Sequence, residues 1–236
     1  MLSRQADLTL EDIRFDSEAL QRWLREHHRQ LPSLGPSNQG QVLLYEAQGR
    51  RYVVKFTKGW GPTRWLRQWM LRHEYRVYQR LEGLIGIPRC YGLIDGRYLL
   101  LEYIEGSSFR AAQAQLRKNP EYFAQLWNLV HSMHARGVAH TDLKRKDNLM
   151  VRSDGSPCII DFGTAIMRKP GYAPINHYIY RIAQQFDYNA CIKLRHKGYQ
   201  QLTPEEQLYY RRTPVERLTY PITQGVRRIV RHLRKS

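Results

Sequence analysis

The 236 residues suffice for one sizeable core, either a single compact unit or two lobes sharing a cleft, and 42% hydrophobic residues with 16 Tyr argue against a disordered chain. With 38 Lys+Arg against 21 Asp+Glu the formal charge is +17, a field that attracts nucleic acid, anionic lipid or an acidic or phosphorylated substrate without choosing among them. Cys90, Cys158 and Cys191 form no C-x-x-C pair, residues 1–7 carry no apolar signal core, and no run approaches the roughly 18 apolar residues of a membrane span; neither a disulfide framework nor a zinc site is suggested and a reducing cytoplasm is expected.

In chain order, residues 16–31 predict a helix with Leu20, Trp23 and Leu24 on one stripe, an accessory packing element. Residues 35–42 then cluster turn formers around Gly35, Ser37 and Gly40 before Val42. Glycines in such a turn let backbone N–H groups approach phosphates, and an ordinary turn is the alternative reading. Val42 to Ala47 and Arg51 to Phe56 predict a hairpin around Gln48-Gly49-Arg50, with Lys55 near its end. The next helix carries Glu74 and sets Trp65, Trp69, Arg72 and Arg76 at helical spacing, a basic aromatic face suited to a membrane interface, although Trp residues at this spacing more often enter the core.

A strand over 98–101 runs into Glu102-Tyr103-Ile104-Glu105-Gly106, and a long helix follows Pro120 with Phe123, Leu126, Trp127, Val130 and Met133 on its stripe, closing at Gly137. His131 and His134 read as ordinary residues of that helix. The stretch from His140 to Gly163 organises the chain. Leu149-Met150-Val151 and Cys158-Ile159-Ile160 flank a Ser-Asp-Gly-Ser-Pro turn, so they pair as short buried strands and bring Asn148 and Asp161 to one end, while Asp142 lies on the loop before them and can accept a proton.

His140-Thr141-Asp142, Asn148 and Asp161-Phe162-Gly163 together resemble the catalytic core of the protein-kinase-like superfamily, whose H-R-D-x-x-x-x-N and D-F-G motifs supply the base and the magnesium ligands. The resemblance covers about residues 35–187 and implies an α+β, two-lobed fold: a small β-rich N-lobe with one helix and a mainly helical, reduced C-lobe. The whole chain reads as a single kinase-like domain, 1–236, with an N-terminal helical extension (1–31), an N-lobe (32–103) and a C-lobe (104–236).

The resemblance also implies roles. ATP and Mg²⁺ are the cofactors; Gly35, Ser37, Gly40 and Val42 form the glycine loop, with Ser37 in place of its middle glycine. Lys55 holds the α and β phosphates and is paired by Glu74 of the helix; Glu18 and Glu82 are weaker partners. At the hinge, the Glu102 carbonyl and the Ile104 amide bond adenine, with Leu101 as gatekeeper. Asp142 orients or deprotonates the acceptor, Lys144 contacts the γ-phosphate, and His140 braces the D-F-G segment. Asn148 and Asp161 hold the metal. Asn148 stands one place later than the family's Asn, and Asp147 occupies the family position, so Asp147 is the alternative ligand; the extra residue is most easily housed in Lys144-Arg145-Lys146. Thr141 replaces the motif's Arg, as in members not controlled by activation-loop phosphorylation.

Past Gly163 the pattern thins. Ala173-Pro174-Ile175 is similar to A-P-E without its acid, and the next helix is expected around residues 182–194, where Asp187 is either the buried acid that clamps the catalytic loop or a surface residue. This short C-lobe is similar to RIO-like kinases and to the bacterial lipopolysaccharide kinases acting on inner-core heptose or keto-deoxyoctulosonic acid. Residues 223–236 predict a basic amphipathic helix that either lies on anionic lipid or packs on the lower lobe. The expected activity is transfer of the γ-phosphoryl group of ATP to a hydroxyl, first of a lipopolysaccharide inner-core sugar, at the inner face of the inner membrane. The alternatives are a RIO-like serine/threonine protein kinase or ATPase and, from another class, a non-catalytic nucleotide-binding or membrane-adaptor module. The expected partners are therefore an anionic glycolipid or protein acceptor and an anionic membrane surface; no nucleic-acid motif is present.

Overall fold

The computed structural model describes residues 20, 22–24, 26, 41–47, 49–57, 61–116, 119–196 and 202–211. The glycine-loop residues Gly35, Ser37 and Gly40, most of the 16–31 helix and the 223–236 segment lie outside the described residues. Four antiparallel strands build the N-lobe sheet in the order β1-β2-β4-β3: β1 (Gln41–Ala47), β2 (Arg50–Phe56), β3 (Cys90–Ile94) and β4 (Tyr98–Glu102). Between β2 and β3 runs helix α1 (Gly61–Arg80), with Pro62 in its first turn where a missing N–H costs nothing.

The period of two along these strands sends alternate residues to opposite faces. Leu43, Tyr45, Tyr52, Val54, Phe56 and Leu100 form the outer face, where Leu20, Trp23 and Leu24, all helical, pack on them. Val53, Leu99 and Leu101 form the inner face, against Leu71, Val77 and Tyr78 of α1. Lys55 is opposite Leu99 in the ladder and in phase with Val53, so it too points inward.

After β4 come β5 (Gly106–Ser108), α2 (Phe109–Leu116), α3 (Pro120–Ala135), β6 (Val138–Ala139), β7 (Leu149–Arg152), β8 (Pro157–Ile159), β9 (Ile166–Met167), α4 (Pro174–His196) and α5 (Pro204–Tyr209). Asn119 caps α3 by accepting from the Tyr122 N–H at 3.0 Å, Pro120 opens the first turn, and Gly137 beyond the end takes φ +73°. The α3 stripe of Tyr122, Phe123, Leu126, Leu129, Val130 and Met133 is buried, each such side chain contributing about 1.5–3 kcal/mol. Strands β5-β7-β8 form one small sheet and β6-β9 another.

One apolar cluster runs from the inner sheet face and α1 through α3 to Leu149, Ile159 and Phe162, joining the lobes. The Gly86 carbonyl on the loop after α1 accepts from the Ile159 N–H at 2.8 Å, and a Cβ at Gly86 would stand 2.6 Å from Leu129, so this loop seats directly on the lower lobe. The architecture is the α+β, two-lobed protein-kinase-like fold.

Two expectations are corrected and two helices are added. Helix α4 starts at Pro174 rather than near 182, because nothing after Pro174 interrupts a helix and Asn176 anchors its first turn, with Oδ1 accepting from the Lys169 N–H at 2.7 Å. Trp65 and Trp69 are 70% and 49% exposed, not in the core; the buried stripe of α1 is set by Leu71, Glu74, Val77 and Tyr78 instead. Helices α2 and α5 were not expected; α2 buries Phe109, Ala112 and Leu116 in one short stripe.

Gly106 has φ +148°, and a Cβ there would fall 2.0 Å from the Val151 carbonyl oxygen across the β5-β7 pair. Gly106→Ala is therefore expected to lower the free energy of unfolding by about 3 kcal/mol, read as a shifted urea midpoint with unchanged slope.

Candidate active site

Lys55 on β2, Glu74 on α1 and Asp161 after β8 converge below the sheet. Lys55 Nζ lies 2.7 Å from Glu74 Oε1 and 3.2 Å from Asp161 Oδ1. The three side chains are 16%, 4% and 29% exposed, so their charges interact through little water. Burial opposes the ammonium of Lys55, but Glu74 and then Asp161 outweigh it and its pKa rises above the ordinary value. Burial likewise opposes the Asp161 carboxylate, and Lys55 outweighs it, holding that carboxyl below its usual range. Glu74 also accepts the Phe162 N–H at 3.3 Å, fixing the backbone next to Asp161.

The catalytic loop hangs on Asp187 of α4, which is fully buried. Its Oδ2 accepts from the His140 N–H at 2.7 Å and its Oδ1 from the Thr141 N–H at 2.8 Å. Thr141 takes φ +71° and Asp161 φ +67°, conformations that cost a β-branched or other non-glycine residue about 1–3 kcal/mol each. Both are held: Thr141 by Asp187 and by its hydroxyl to the Thr164 carbonyl at 3.1 Å, Asp161 by Lys55. The His140 ring meets the Ile160 carbonyl through Nε2 at 3.0 Å and packs on Phe162, whose other side meets Tyr78.

The residues between Asp142 and Asn148 divide their tasks. The Asp142 carbonyl accepts the Arg145 N–H and the Asn148 side-chain N–H, both at 3.1 Å, and Asn148 sits buried in a 3-10 turn, Lys146–Asn148, with its carbonyl bonded by the Ile160 N–H at 2.9 Å. With its side-chain nitrogen so engaged, the Asn148 atom that could serve a cation is the amide oxygen. Asp147 faces outward, 52% exposed, and both its oxygens are bound by Arg110 at 2.9 Å, which holds it below the usual carboxylate range. Arg145 Nε lies 3.8 Å from Asp142 Oδ2, Lys146 donates to Gln113 at 2.7 Å, and Lys144 is exposed.

At the hinge the Glu102 carboxylate is committed to structure, accepting the Arg89 N–H at 2.9 Å and lying 3.6 Å from Arg152. The Glu102 N–H is likewise committed, donating to the Arg89 carbonyl at 2.8 Å, and Ile104 and Leu101 beside it are buried. Val42 pairs with Lys55 across β1 and β2. The donor set suits magnesium: an ionised Asp161 and the Asn148 amide oxygen are hard oxygen ligands, and Mg²⁺ needs few protein donors because phosphate and water complete its shell. Among the described residues no group of three or more His, Cys, Asp or Glu forms a metal cluster of its own.

Four contributors escaped the sequence reading. His134 is no ordinary helix residue: its Nε2 meets Asp187 Oδ2 at 3.0 Å in the core. Arg145 flanks Asp142, Thr164 holds Thr141, and His73 of α1 meets the Ala165 carbonyl through Nε2 at 2.7 Å.

The lowered pKa of Asp161 predicts a pH window. Its contribution to stability is complete above the ordinary value of 3.8 and is lost as pH falls from there through the lower folded value. Urea titrations at pH 5 and below should show a steeper loss for wild type than for Asp161→Asn; equal slopes would disconnect Asp161 from Lys55.

The protein kinase domain model matches residues 29–201, a span that holds every described site residue above. Protein kinase C zeta type of Oryctolagus cuniculus is 29% identical over 109 residues, covering 43% of this chain and 18% of that protein. Sperm motility kinase 2A of Mus musculus is 39% identical over 160 residues, 63% of this chain and 31% of that protein. CBL-interacting serine/threonine-protein kinase 8 of Arabidopsis thaliana is 32% identical over 124 residues, 48% and 26%. The chain thus spans under a third of the length of these relatives. Because the model takes in most of the chain, from the glycine-loop segment past Asp187, the chain belongs to the protein kinase domain family.

Proposed function

We propose that the protein transfers the γ-phosphoryl group of ATP to a hydroxyl. The observation that carries this reading is the joint placement of Lys55, Glu74 and Asp161 with Asp142 and Asn148 at one cleft. Lys55, oriented by Glu74, binds the phosphates; Asn148 and Asp161 would hold Mg²⁺, whose charge offsets that of the transferring group. Asp142 takes the acceptor's proton as the new O–P bond forms and the bond to the ADP oxygen breaks, and Lys144 meets the γ-phosphate. All the titratable roles are filled, which disfavours a non-catalytic module.

For the acceptor we favour a sugar hydroxyl of an anionic glycolipid, of the lipopolysaccharide inner-core class, met at a membrane surface. Three features support it. The charge is +17. Trp65, Leu66 and Trp69 on α1, and Tyr172, Ile175, Tyr178 and Ile179 around the start of α4, are exposed. Only residues 164–173 separate Gly163 from α4, little chain for a peptide platform. Among the described residues no helix is long and apolar enough to cross a membrane, so contact would be peripheral. The second reading, phosphorylation of protein serine or threonine, is favoured by the names of the kinases to which the chain is similar.

The test is Mg²⁺-dependent consumption of γ-labelled ATP with deacylated lipopolysaccharide core, a generic protein, or no acceptor. Asp142→Asn is expected to slow turnover about 10²–10⁴-fold and Asp161→Ala to abolish it with the circular dichroism of the fold retained. Label on the core sugar supports the glycolipid; label on protein moves the acceptor to the second reading; nucleotide binding without consumption by wild type overturns phosphotransfer.

A further inference from the structure

A second pocket, of about 690 Å³, opens between the end of α1, the turn after α3, the chain after β9 and the first turns of α4. Its wall includes Arg80, Arg136, Arg168, Lys169 and Arg181, and neither an Asp nor a Glu. Lys55, Glu74, Asp142, Asn148 and Asp161 are not part of it, so it is distinct from the cleft. Elsewhere Arg51, Arg110, Arg152 and Arg195 sit against carboxylates, whereas among the described residues none of the five pocket cations has an acidic partner.

The wall is built rather than incidental. Arg80 Nη1 donates to the Arg168 carbonyl at 2.9 Å and Arg136 Nη1 to the Glu82 carbonyl, one of the five N–H groups of each guanidinium, which leaves the rest of each fork to a ligand. The Arg168 N–H donates to the Gly137 carbonyl at 2.8 Å, and His177 Nε2 meets the Lys169 carbonyl at 2.9 Å, so the backbone bearing the cations is pinned from α3 and α4. The buried Tyr180, also in the wall, donates to the His134 carbonyl at 2.8 Å, beside the Asp187 clamp.

We propose that this pocket binds a phosphate-bearing small molecule. Guanidinium forks pair with phosphate oxygens by short charge-assisted bonds. The volume is that of a small-molecule site, and an anion would relieve the mutual repulsion of five like charges.

The probe is inorganic pyrophosphate, titrated calorimetrically into the full chain in Mg²⁺-free buffer. Arg168→Gln/Lys169→Gln/Arg181→Gln keeps all the backbone bonds of the wall, so the fold is retained. This triple variant should bind about ten-fold more weakly or worse, as loss of even one charge-assisted bond predicts. The control Arg64→Gln/Arg76→Gln/Arg97→Gln, which removes equal charge elsewhere, should stay within about two-fold of wild type, and Lys55→Met reports any pyrophosphate held in the cleft instead. Wild-type affinity in the pocket variant, or equal loss in the charge-matched control, overturns the site; so does loss confined to Lys55→Met. Binding to phosphatidylcholine vesicles carrying phosphatidic acid that is lost in the pocket variant, with no pyrophosphate bound by wild type, would also overturn it and make this face a membrane contact.

Discussion

The upper half of the cleft depends on one buried cation between two carboxylates. Lys55, Glu74 and Asp161 come from a strand, a helix and the segment after β8, 19 and 106 residues apart along the chain. Such a cluster is poor evidence for stability, because desolvating three charges costs nearly as much as their attraction returns, while removing one member strands the others at a cost of about 3–5 kcal/mol. What the arrangement secures is geometry. With Glu74 bound both to Lys55 and to the Phe162 N–H, α1 cannot shift without moving the segment that carries Asp161.

The lower half of the cleft has its own anchor, of a different kind. Asp187 receives two backbone N–H groups and the His134 ring, all out of water, and so places His140 and Thr141 without using any catalytic side chain. The positive φ of Thr141 is the backbone turn that this clamp enforces, and Asp161, held by Lys55, has a matching positive φ. Strain of this size survives only where the surroundings over-determine it. Here the surroundings are Phe162 wedged between Tyr78 and His140, a packed column between α1 and the loop.

How far this could be read from residues alone follows from the range of each interaction. The hairpin β1-β2, the α3 stripe and the β7-β8 pair are local, and alternation or helical spacing was enough to place them. The cleft residues were legible because their order along the chain matches a family pattern, not because any spacing demands that Lys55 meet Asp161. His134 was missed because its partner lies 53 residues away on another helix, and nothing in a Met-His-Ala run specifies a buried acid opposite. The Trp faces failed differently: helical spacing identifies a stripe but not which of two stripes is covered, and in α1 the Leu71-Glu74-Val77-Tyr78 stripe took the interior.

The extra residue between Asp142 and Asn148 shows how a departure from the pattern is absorbed without moving the chemistry. Keeping the family spacing would have put Asp147 at the metal, adding a second full negative charge beside Asp161. Instead the chain turns at Arg145, whose N–H bonds the Asp142 carbonyl, and turns again as the Asn148 N–H bonds the Arg145 carbonyl at 3.0 Å. The consecutive turns take up the added length, so that Asn148 still reaches back to Asp142 while Asp147 swings out to Arg110 on α2. Helix α2, invisible in the pattern, is therefore part of the explanation: it supplies both Arg110 for Asp147 and Gln113 for Lys146, pinning the lengthened loop from outside. A neutral amide inside and a neutralised carboxylate outside leave Asp161 as the charged group beside Lys55, the balance a site built around that cation can sustain.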